Sequence, residues 1–147
     1  MKIVGLITEY NPFHNGHLYH LEQALDIAGA DAAIAVMSGN YVQRGAPAIM
    51  PKRLRTKVAL EAGVSIVLEL PVCWATGSAE YFAAGAVSLL ERLGCVDAIC
   101  FGSECGDFSL LDEIAKVTAD EPQEYQFSLQ EGLRNGMSFP LPRQMAL

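Results

Sequence analysis

The stretch LITEYNPFHNGHLYHL, from Leu6 to Leu21, joins the end of an apolar run to a polar turn and then to a helical pattern. It contains all three histidines of the chain, His14, His17 and His20. The run KIVGLIT before the turn is rich in β-branched residues, which is typical of a strand buried on both faces. After the turn, apolar residues recur at helical spacing, at Leu18, Leu21, Leu25 and Ala28. The stretch therefore predicts a strand, a histidine-bearing turn and a helix.

Alternating strand and helix patterns continue along the chain. Further strands are predicted at 31–39, 64–71 and 96–104, and helices at 16–30, 52–63, 77–94, 107–120 and 121–136. Ser78 and Asp107 are expected to cap the helices that follow them. The proline-containing tail, 137–147, is expected to lead to another element. Strands that alternate with crossover helices predict the α/β class, with a Rossmann-like parallel sheet and helices on both faces.

Polar clusters follow three of the predicted strands. They read TEYNPFHNGH after the first strand, SGNYVQRG after the second and GSECGD after the fourth. Ligands of open parallel sheets bind at the carboxyl ends of the strands, so these clusters are expected along one edge. The dinucleotide fingerprint GxGxxG is absent after the first strand, and the P-loop pattern GxxxxGK[ST] is absent throughout. Ordinary dinucleotide and P-loop sites therefore lack support.

The composition and net charge of the chain limit the classes of protein to which it can belong. The chain has 147 residues, 51% of them apolar, and a formal net charge of −7, which argues against a broad nucleic-acid-binding face. A local basic cluster is interpreted either as an anion-binding patch or as a solvated helix start; it contains Lys52, Arg53, Arg55 and Lys57. No apolar run reaches the roughly 18 residues of a membrane span, and the N-terminus lacks a long apolar signal segment. We expect a cytoplasmic protein with no membrane partner.

The four cysteines, Cys73, Cys95, Cys100 and Cys105, form no CxxC pair. Free thiols in a reducing compartment are expected, with Cys95 and Cys100 buried in or beside apolar stretches. Three histidines at three-residue steps drift around a helix, and no cysteine or aspartate stands near them at ligand spacing. We therefore predict no metal site built from protein side chains.

The turn sequence HNGH, residues 14–17, stands where the first helix is expected to begin. Helix N-termini present free N–H groups and the positive end of the helix dipole, which favours phosphate binding. Gly16 allows backbone and ligand to approach closely. The two flanking imidazoles add hydrogen-bond donors, which suits charge that grows on a phosphate during displacement. His20 lies outside this turn and is interpreted as a residue that packs or caps.

The HNGH turn looks like the HxGH signature of the nucleotidyltransferase superfamily. Three further blocks extend the likeness: MSGNYVQRGAPAIMPKRLRTKVALEAG, VLELPVCWATGSAEYFAAGAVSLLERLG and CFGSECGD. Together the blocks resemble the bacterial tRNA(Met) cytidine acetate ligase family and span most of the chain from Lys2 to about Asp107. The resemblance implies the HxGH nucleotidyltransferase fold, as an ATP-binding domain over 1–147. Members of that family are far longer, so the chain is expected to lack their C-terminal part.

The resemblance also implies a reaction and its partners. Such ligases activate acetate with ATP to acetyl-adenylate, release pyrophosphate, and acetylate N4 of the wobble cytidine of elongator tRNA(Met). ATP, acetate and elongator tRNA(Met) are therefore the expected substrates. Mg²⁺ is expected with ATP because the metal bridges phosphate oxygens, but no acidic ligand for it is identifiable in the sequence. The oligomeric state is left open.

The family pattern assigns catalysis to His14 and His17, which are expected to contact the triphosphate. Gly102 is expected to contact ATP from the end of the fourth strand, where a side chain would block the base or ribose. The pattern assigns the remaining ATP contacts to one continuous segment: Ile7, Thr8, Glu9, Tyr10, Asn11, Pro12, Phe13, His14, Asn15, Gly16, His17, Leu18, Tyr19 and His20.

A second group of residues is assigned less specifically. Arg44 follows the second strand and is expected to meet a phosphate or the acetate carboxylate. Lys52 and Arg53 are expected to meet pyrophosphate or the tRNA backbone, where contacts position the nucleic acid without reading its sequence. Asn40 and Glu104 are polar residues at strand ends and complete the group.

Two other functions stay open at this point. A small-molecule adenylyltransferase of the same superfamily would join AMP to a phosphorylated substrate, although SGNYVQRG supplies few basic residues for a phosphate pocket. A nucleotide-binding module would keep the fold without turnover, and the intact HNGH turn argues against it. Function is decided by the site and not by the fold alone.

Overall fold

The computed structural model describes residues 1–146, in which the chain divides into two compact units. The first unit comprises Met1–Gly102 and contains the sheet, and the second begins at Ser103. Within the residues described, no helix is both long and apolar enough to cross a membrane. The interpretation of 1–147 as one nucleotidyltransferase-like domain stays a prediction.

Four strands form the sheet: β1 (Ile3–Thr8), β2 (Ala32–Ser38), β3 (Ile66–Leu70) and β4 (Ala98–Cys100). Their order is β3-β2-β1-β4, and every neighbouring pair runs parallel. β1 and β2 are buried over nearly their whole length, because apolar side chains leave both faces of each strand. The predicted parallel α/β sheet is confirmed.

Helices cover both faces of the sheet, as predicted. On one face lie α1 (Asn15–Ala28) and α2 (Lys52–Glu61), and on the other lie α3 (Val72–Ala75) and α4 (Ala79–Leu93). Each pair of helices packs with the strands in an apolar cluster of its own. The first cluster includes Val4, Leu6, Leu21, Ala24 and Ala59. The second includes Ile3, Ile34, Phe82, Ala86 and Leu90.

Gly5 of β1 allows α4 to lie close to the sheet. A Cβ atom at this position would stand 2.8 Å from Cδ1 of Leu90 and 3.2 Å from Cγ1 of Val96. Leu90 fills that space instead and is fully buried. A larger residue at Gly5 would therefore push α4 away from the strand that leads into the histidine turn.

The structure corrects two predicted elements. The pattern predicts a strand over 96–104, but β4 pairs only over Ala98–Cys100, because the glycine-containing residues that follow are exposed and offer no apolar face to bury. α3 is a single turn after Pro71, between the predicted strand 64–71 and the predicted helix 77–94. A turn of this length is too short to show a helical repeat in the sequence.

The second unit is helical and contains α5 (Phe108–Asp120), α6 (Gln123–Arg134) and α7 (Pro140–Met145). Asp107 caps α5 as predicted, because its Oδ1 accepts two backbone N–H groups of the first turn at 2.9 and 3.2 Å. Ser78 likewise caps α4, in the first unit. The tail that was expected to lead to another element itself forms α7, which packs against α6.

The four cysteines are free thiols. Cys100 is half-buried in β4, and burial raises the pKa of its thiol. The expectation that Cys95 is buried is wrong, because this residue is exposed. It follows Gly94, whose left-handed backbone (φ 64°) ends α4 and turns the chain toward solvent.

Candidate functional site

The turn after β1 places two imidazoles at the start of α1. His14 is the N-cap residue, and its Nδ1 accepts the N–H of Gly16 at 3.1 Å. The backbone N–H of His14 donates in return to Nδ1 of His17 at 3.3 Å. The two rings stack, with centroids 3.8 Å apart and planes inclined by 26°. The arrangement is a capping box in which both side chains are histidines.

The capping box determines where each imidazole carries its proton. Each Nδ1 accepts a backbone N–H, so the proton of the neutral ring is on Nε2. Burial lowers the pKa of His17, and the nearby His14 and His20 lower it further. In this arrangement Nε2 of each ring is left to donate to a ligand, and the lowered pKa of His17 favours its neutral form.

Aromatic rings surround His17 on the side of the sheet. Tyr10 meets the His17 ring edge-on with centroids 5.0 Å apart, and Phe13 lies 5.6 Å from it. Tyr10 is fully buried and has a left-handed backbone (φ 48°), just before a cis Asn11–Pro12 bond. A left-handed non-glycine residue costs on the order of 1 kcal/mol or more and persists where its surroundings require it. Here the left-handed backbone of Tyr10 orients the Tyr10 ring against the ring of His17.

Three buried polar atoms in this region have no hydrogen-bond partner within residues 1–146: Thr8 Oγ1, Tyr10 Oη and His20 Nε2. Burial raises the pKa of Tyr10 to about 12, and the nearby Thr8 hydroxyl lowers it in part, although the two hydroxyls do not reach hydrogen-bond geometry. Burial also lowers the pKa of His20. Tyr10 and His20 are thus neutral, and the assignment of His20 to ATP stays a prediction.

The loop after β2, residues 40–51, is tied to the histidine turn. The carboxylate of Glu9 accepts the N–H of Gln43 at 2.7 Å, and the side-chain oxygen of Asn11 accepts the N–H of Ile49 at 2.9 Å. The structure therefore brings the first two polar clusters together at one edge of the sheet, as predicted. Glu9 and Asn11 use their side chains to hold this loop, and their contact with ATP stays a prediction.

Arg44 lies in the middle of loop 40–51 in a left-handed conformation, with φ 65° and ψ 14°. Its backbone N–H donates to the carbonyl of Gly77 at 3.4 Å, and the residue as a whole is exposed. Such a backbone is strained for a residue with a side chain, and strained residues cluster at functional sites. The loop presents this arginine to solvent on a fixed backbone.

Lys52 and Arg53 begin α2 beside a cavity of about 290 Å³ that Thr56 and Glu69 also line. The Nζ of Lys52 lies 2.7 and 2.6 Å from the two carboxylate oxygens of Glu69. Arg53 is exposed. The backbone N–H of Lys52 lies 3.5 Å from the side-chain oxygen of Asn40. An anion that enters here meets Arg53 directly, whereas it has to compete with Glu69 for Lys52.

Sequence reasoning missed the role of Arg55. Neither interpretation of the basic cluster places it in the interior, yet it is 1% exposed and is the largest fully buried side chain of the described residues. Its guanidinium donates to backbone carbonyls at the ends of β1 and β2. The signal that could have found it is its spacing from the buried Ala59, one helical turn later. Lys57, by contrast, is exposed beside Glu61.

Gly102 follows β4, which is the neighbour of β1 at this edge of the sheet. No heavy atom beyond its chain neighbours lies within 4 Å of a Cβ built there, so the space over this position is open. Glu104 is exposed and lies in the second unit. Among residues 1–146, no three histidine, cysteine, aspartate or glutamate side chains are grouped so as to hold a metal ion.

The chain matches the family described as HIGH Nucleotidyl Transferase over residues 1–147. It belongs to that family. It is 58% identical to a tRNA(Met) cytidine acetate ligase of Acetivibrio thermocellus and 53% identical to one of Clostridium perfringens, with all of this chain matched to 35% and 37% of their lengths. A crystal structure of Thermotoga maritima TmcAL bound with alpha-thio ATP matches with a TM-score of 0.94 at 50% identity, over 99% of this chain and 35% of that one. The chain thus spans about a third of the length of these relatives.

These comparisons confirm two of the expectations from the sequence. The resemblance to bacterial tRNA(Met) cytidine acetate ligases extends over all 147 residues, and the fold is that of the Thermotoga protein. The contacts of His14, His17 and the other assigned residues with a ligand stay predictions.

Proposed function

We propose that this chain is the ATP-binding part of an enzyme that activates acetate as acetyl-adenylate and acetylates N4 of the wobble cytidine of elongator tRNA(Met). The observation that carries the proposal is the capping box of His14 and His17, which sets two imidazoles at the N-terminus of α1 with each Nδ1 occupied by a backbone N–H. The similarity to proteins named tRNA(Met) cytidine acetate ligase supports the choice of substrates. A tRNA substrate places the proposed reaction in the cytoplasm.

The triphosphate of ATP is proposed to lie against the N-terminus of α1. There the N–H of Gly16 already donates to the ring of His14, and the N–H of His17 donates to the carbonyl of His14 at 2.9 Å. The Nε2–H groups of the imidazoles therefore take over as donors, and each is polarised by the hydrogen bond at its Nδ1. Phosphate oxygens accept such bonds, and the helix dipole adds to the attraction.

The first chemical step needs positioning and charge stabilisation more than a base. A carboxylate oxygen of acetate attacks the α-phosphorus, the bond from that phosphorus to the bridging oxygen breaks, and pyrophosphate leaves with the electron pair. Acetate is already anionic, so no proton has to be removed. Donors aimed at the phosphate oxygens stabilise the charge that develops there. We assign this role to His14 and His17, as hydrogen-bond donors and not as bases.

The second step transfers the acetyl group to tRNA. The N4 nitrogen of cytidine attacks the acetyl carbonyl, and the bond from the carbonyl carbon to the AMP oxygen breaks. AMP leaves with the electron pair, and the proton lost by the nitrogen goes to water. Arg44, Lys52 and Arg53 are proposed to contact anionic groups during the reaction, namely acetate, pyrophosphate or the tRNA backbone. Arg44 and Arg53 are exposed and can meet such a group directly, whereas Lys52 first has to break its ion pair with Glu69. Mg²⁺ is expected to accompany ATP, and no step is assigned to it.

Calorimetric titration with the α,β-methylene analogue of ATP tests the nucleotide site. His14→Asn is the decisive variant, because asparagine keeps an oxygen for the N-cap and lacks the Nε2–H donor. A lost hydrogen bond to a charged group corresponds to about 1.5–3 kcal/mol, so the affinity is expected to fall by roughly 10- to 100-fold. The thermal midpoint is expected to be unchanged or raised, since asparagine is a favoured cap.

Matched variants make this titration decisive. His17→Asn removes the second donor in the same way, and Glu22→Gln changes an exposed charge on α1 as the control. Binding by the parent and the control but not by the histidine variants supports the proposal, and equal binding by all four chains contradicts it.

Pyrophosphate release by a protein of the relatives' full length then separates the three candidate functions. Dependence on acetate indicates the ligase, dependence on a phosphorylated acceptor indicates an adenylyltransferase, and no release indicates a binding module.

A further inference from the structure

Arg55 is a buried cation at the carboxyl edge of the sheet whose direct partners are oxygens of the backbone and one hydroxyl. Its Nε donates to the carbonyl of Met50 at 3.2 Å, and its Nη1 donates to the carbonyl of Glu9. Its Nη2 donates to the carbonyl of Ser38 at 3.1 Å and to that of Gly39. Nη1 also lies 3.5 Å from the Ser38 hydroxyl. One side chain thus joins the end of β1, the end of β2 and the end of loop 40–51.

A buried guanidinium is normally paired with a carboxylate or phosphate, because removing its charge from water is costly. Here the carboxylates of Glu9 and Glu69 act only at a distance. Burial lowers the pKa of Arg55, and the two carboxylates raise it again. The side chain remains charged, since arginine does not lose its proton in proteins. The planar fork of the guanidinium therefore serves to hold carbonyl groups from separate segments in one arrangement.

We propose that Arg55 is the positioning residue of the nucleotide site, because it holds the ends of β1 and β2 at the spacing that the histidine turn requires. This inference rests on the function proposed above. Arg55 acts without touching the ligand: it is fully buried, and all its donors point to backbone carbonyls or to Ser38.

A short path of contacts leads from Arg55 to the imidazoles. The carbonyl that Nη1 holds belongs to Glu9, and the next residue, Tyr10, meets the ring of His17 edge-on. A shift of the backbone at Glu9 therefore moves the ring that supports His17. The side chain of Glu9 also accepts the N–H of Gln43, so the same shift reaches the loop that carries Arg44. Both sides of the proposed site depend on this one guanidinium.

Arg55→Lys separates positioning from charge. Lysine keeps the positive charge but concentrates its donors on one nitrogen, which cannot span carbonyls from three segments. Lys57→Arg is the matched control, because it is the reverse exchange at an exposed position of the same helix. Two quantities are measured on the 147-residue chain at a temperature where circular dichroism shows every variant folded. They are the affinity for the α,β-methylene analogue of ATP and the ¹⁵N chemical shifts of the His14 and His17 rings.

For Arg55→Lys, we expect the His17 ring signals to move. We also expect the dissociation constant to rise roughly tenfold or more, because the displaced imidazole loses its hydrogen bond to the phosphate. Lys57→Arg is expected to leave both quantities at the parent's values. A residue that only stabilises the fold would lower the melting temperature and leave both quantities unchanged. A folded Arg55→Lys chain with the parent's affinity and ring shifts overturns the proposal.

The parent protein provides a measurement that does not depend on how a variant folds. Hydrogen bonds from both Nη groups to carbonyls slow rotation of the guanidinium, so separate Nη–H signals are expected for Arg55. A single averaged signal overturns the proposal. A parent that fails to bind the ATP analogue counts against the proposed function instead. In that case, separate Nη–H signals and moved His17 shifts in Arg55→Lys still support the positioning of the turn by Arg55.

Discussion

The turn after β1 and the loop after β2 are joined at one edge of the sheet, yet they hold their shapes by different means. The histidine turn closes on itself, because His14 and His17 bond backbone groups within three residues of one another. Loop 40–51 has backbone hydrogen bonds of its own, such as that from the Val42 N–H to the Ala46 carbonyl at 2.8 Å, but it also uses remote side chains. Gln43 and Ile49 donate to residues that lie 34 and 38 positions earlier in the chain. The first shape is encoded locally, whereas the second also needs residues that only the fold brings near it.

This difference predicts how the two regions respond to damage. Loss of a remote support should deform loop 40–51 first and reach the histidine turn only through the backbone at Glu9. Loss of an imidazole should change the turn and leave the loop intact. The size of each effect shows whether the two regions are as separate as their contacts indicate.

Arg55→Met is expected to have the largest effect, because it removes the support that the two regions share. Four carbonyl groups lose a donor at a position that is 1% exposed. We expect the free energy of unfolding to fall by on the order of 3 kcal/mol or more, measured by urea denaturation. Leu54→Met, at a neighbouring exposed position, is the control and is expected to stay within about 0.5 kcal/mol of the parent. Equal losses for the two variants would contradict the buried role of Arg55.

Glu9→Ala is expected to have an intermediate effect that is confined to loop 40–51. It removes the acceptor of the Gln43 N–H, a loss of about 1–2 kcal/mol, whereas Glu9→Gln retains an oxygen and serves as the control. Amide hydrogen exchange distinguishes the regions, because the Gln43 amide should exchange faster while the Gly16 amide keeps the parent's rate. Faster exchange at both amides would show that the histidine turn is not self-supporting.

What the sequence predicts well is what is encoded locally. The apolar runs of β1 and β2 identify strands buried on both faces, and HNGH identifies the turn at a helix start, because each pattern lies within a few consecutive residues. Arg55 is missed for a physical reason. Most of its partners are backbone carbonyls, which every residue possesses. No particular residue type elsewhere in the sequence therefore indicates where these partners lie.

The length of β4 and the exposure of Cys95 escape sequence reasoning for a related reason. Both depend on where the chain leaves the sheet or helix, and an apolar pattern alone does not mark that point. For Glu9 and Asn11, the family pattern predicts contact with ATP. The structure adds that their side chains already hold loop 40–51. Any contact they make with a ligand has to be compatible with that role.

The smallest expected effect is a pH dependence that belongs to the histidine turn alone. Burial, assisted by His14 and His20, lowers the pKa of His17 below its ordinary value of 6.5. The folded state therefore favours the neutral ring, and the stabilisation is complete above about pH 6.5 and is lost as the pH falls through the lower pKa of the folded state. Protonation of Nδ1 removes the acceptor of the His14 N–H and opens the capping box.

Loop 40–51 contains no histidine, so the same acidification should leave its contacts in place. Unfolding free energies measured between about pH 7.5 and pH 5 should therefore decrease toward acid, with faster exchange of the His14 amide than of the Gln43 amide. Burial lowers the pKa of His20 as well, so His17→Asn should reduce this slope without abolishing it. An unchanged slope in His17→Asn would remove the capping box as the source of the effect. If hydrogen exchange of the His14 and Gln43 amides accelerated equally, the two regions would open as one unit. The separate origins of their contacts argue against that outcome.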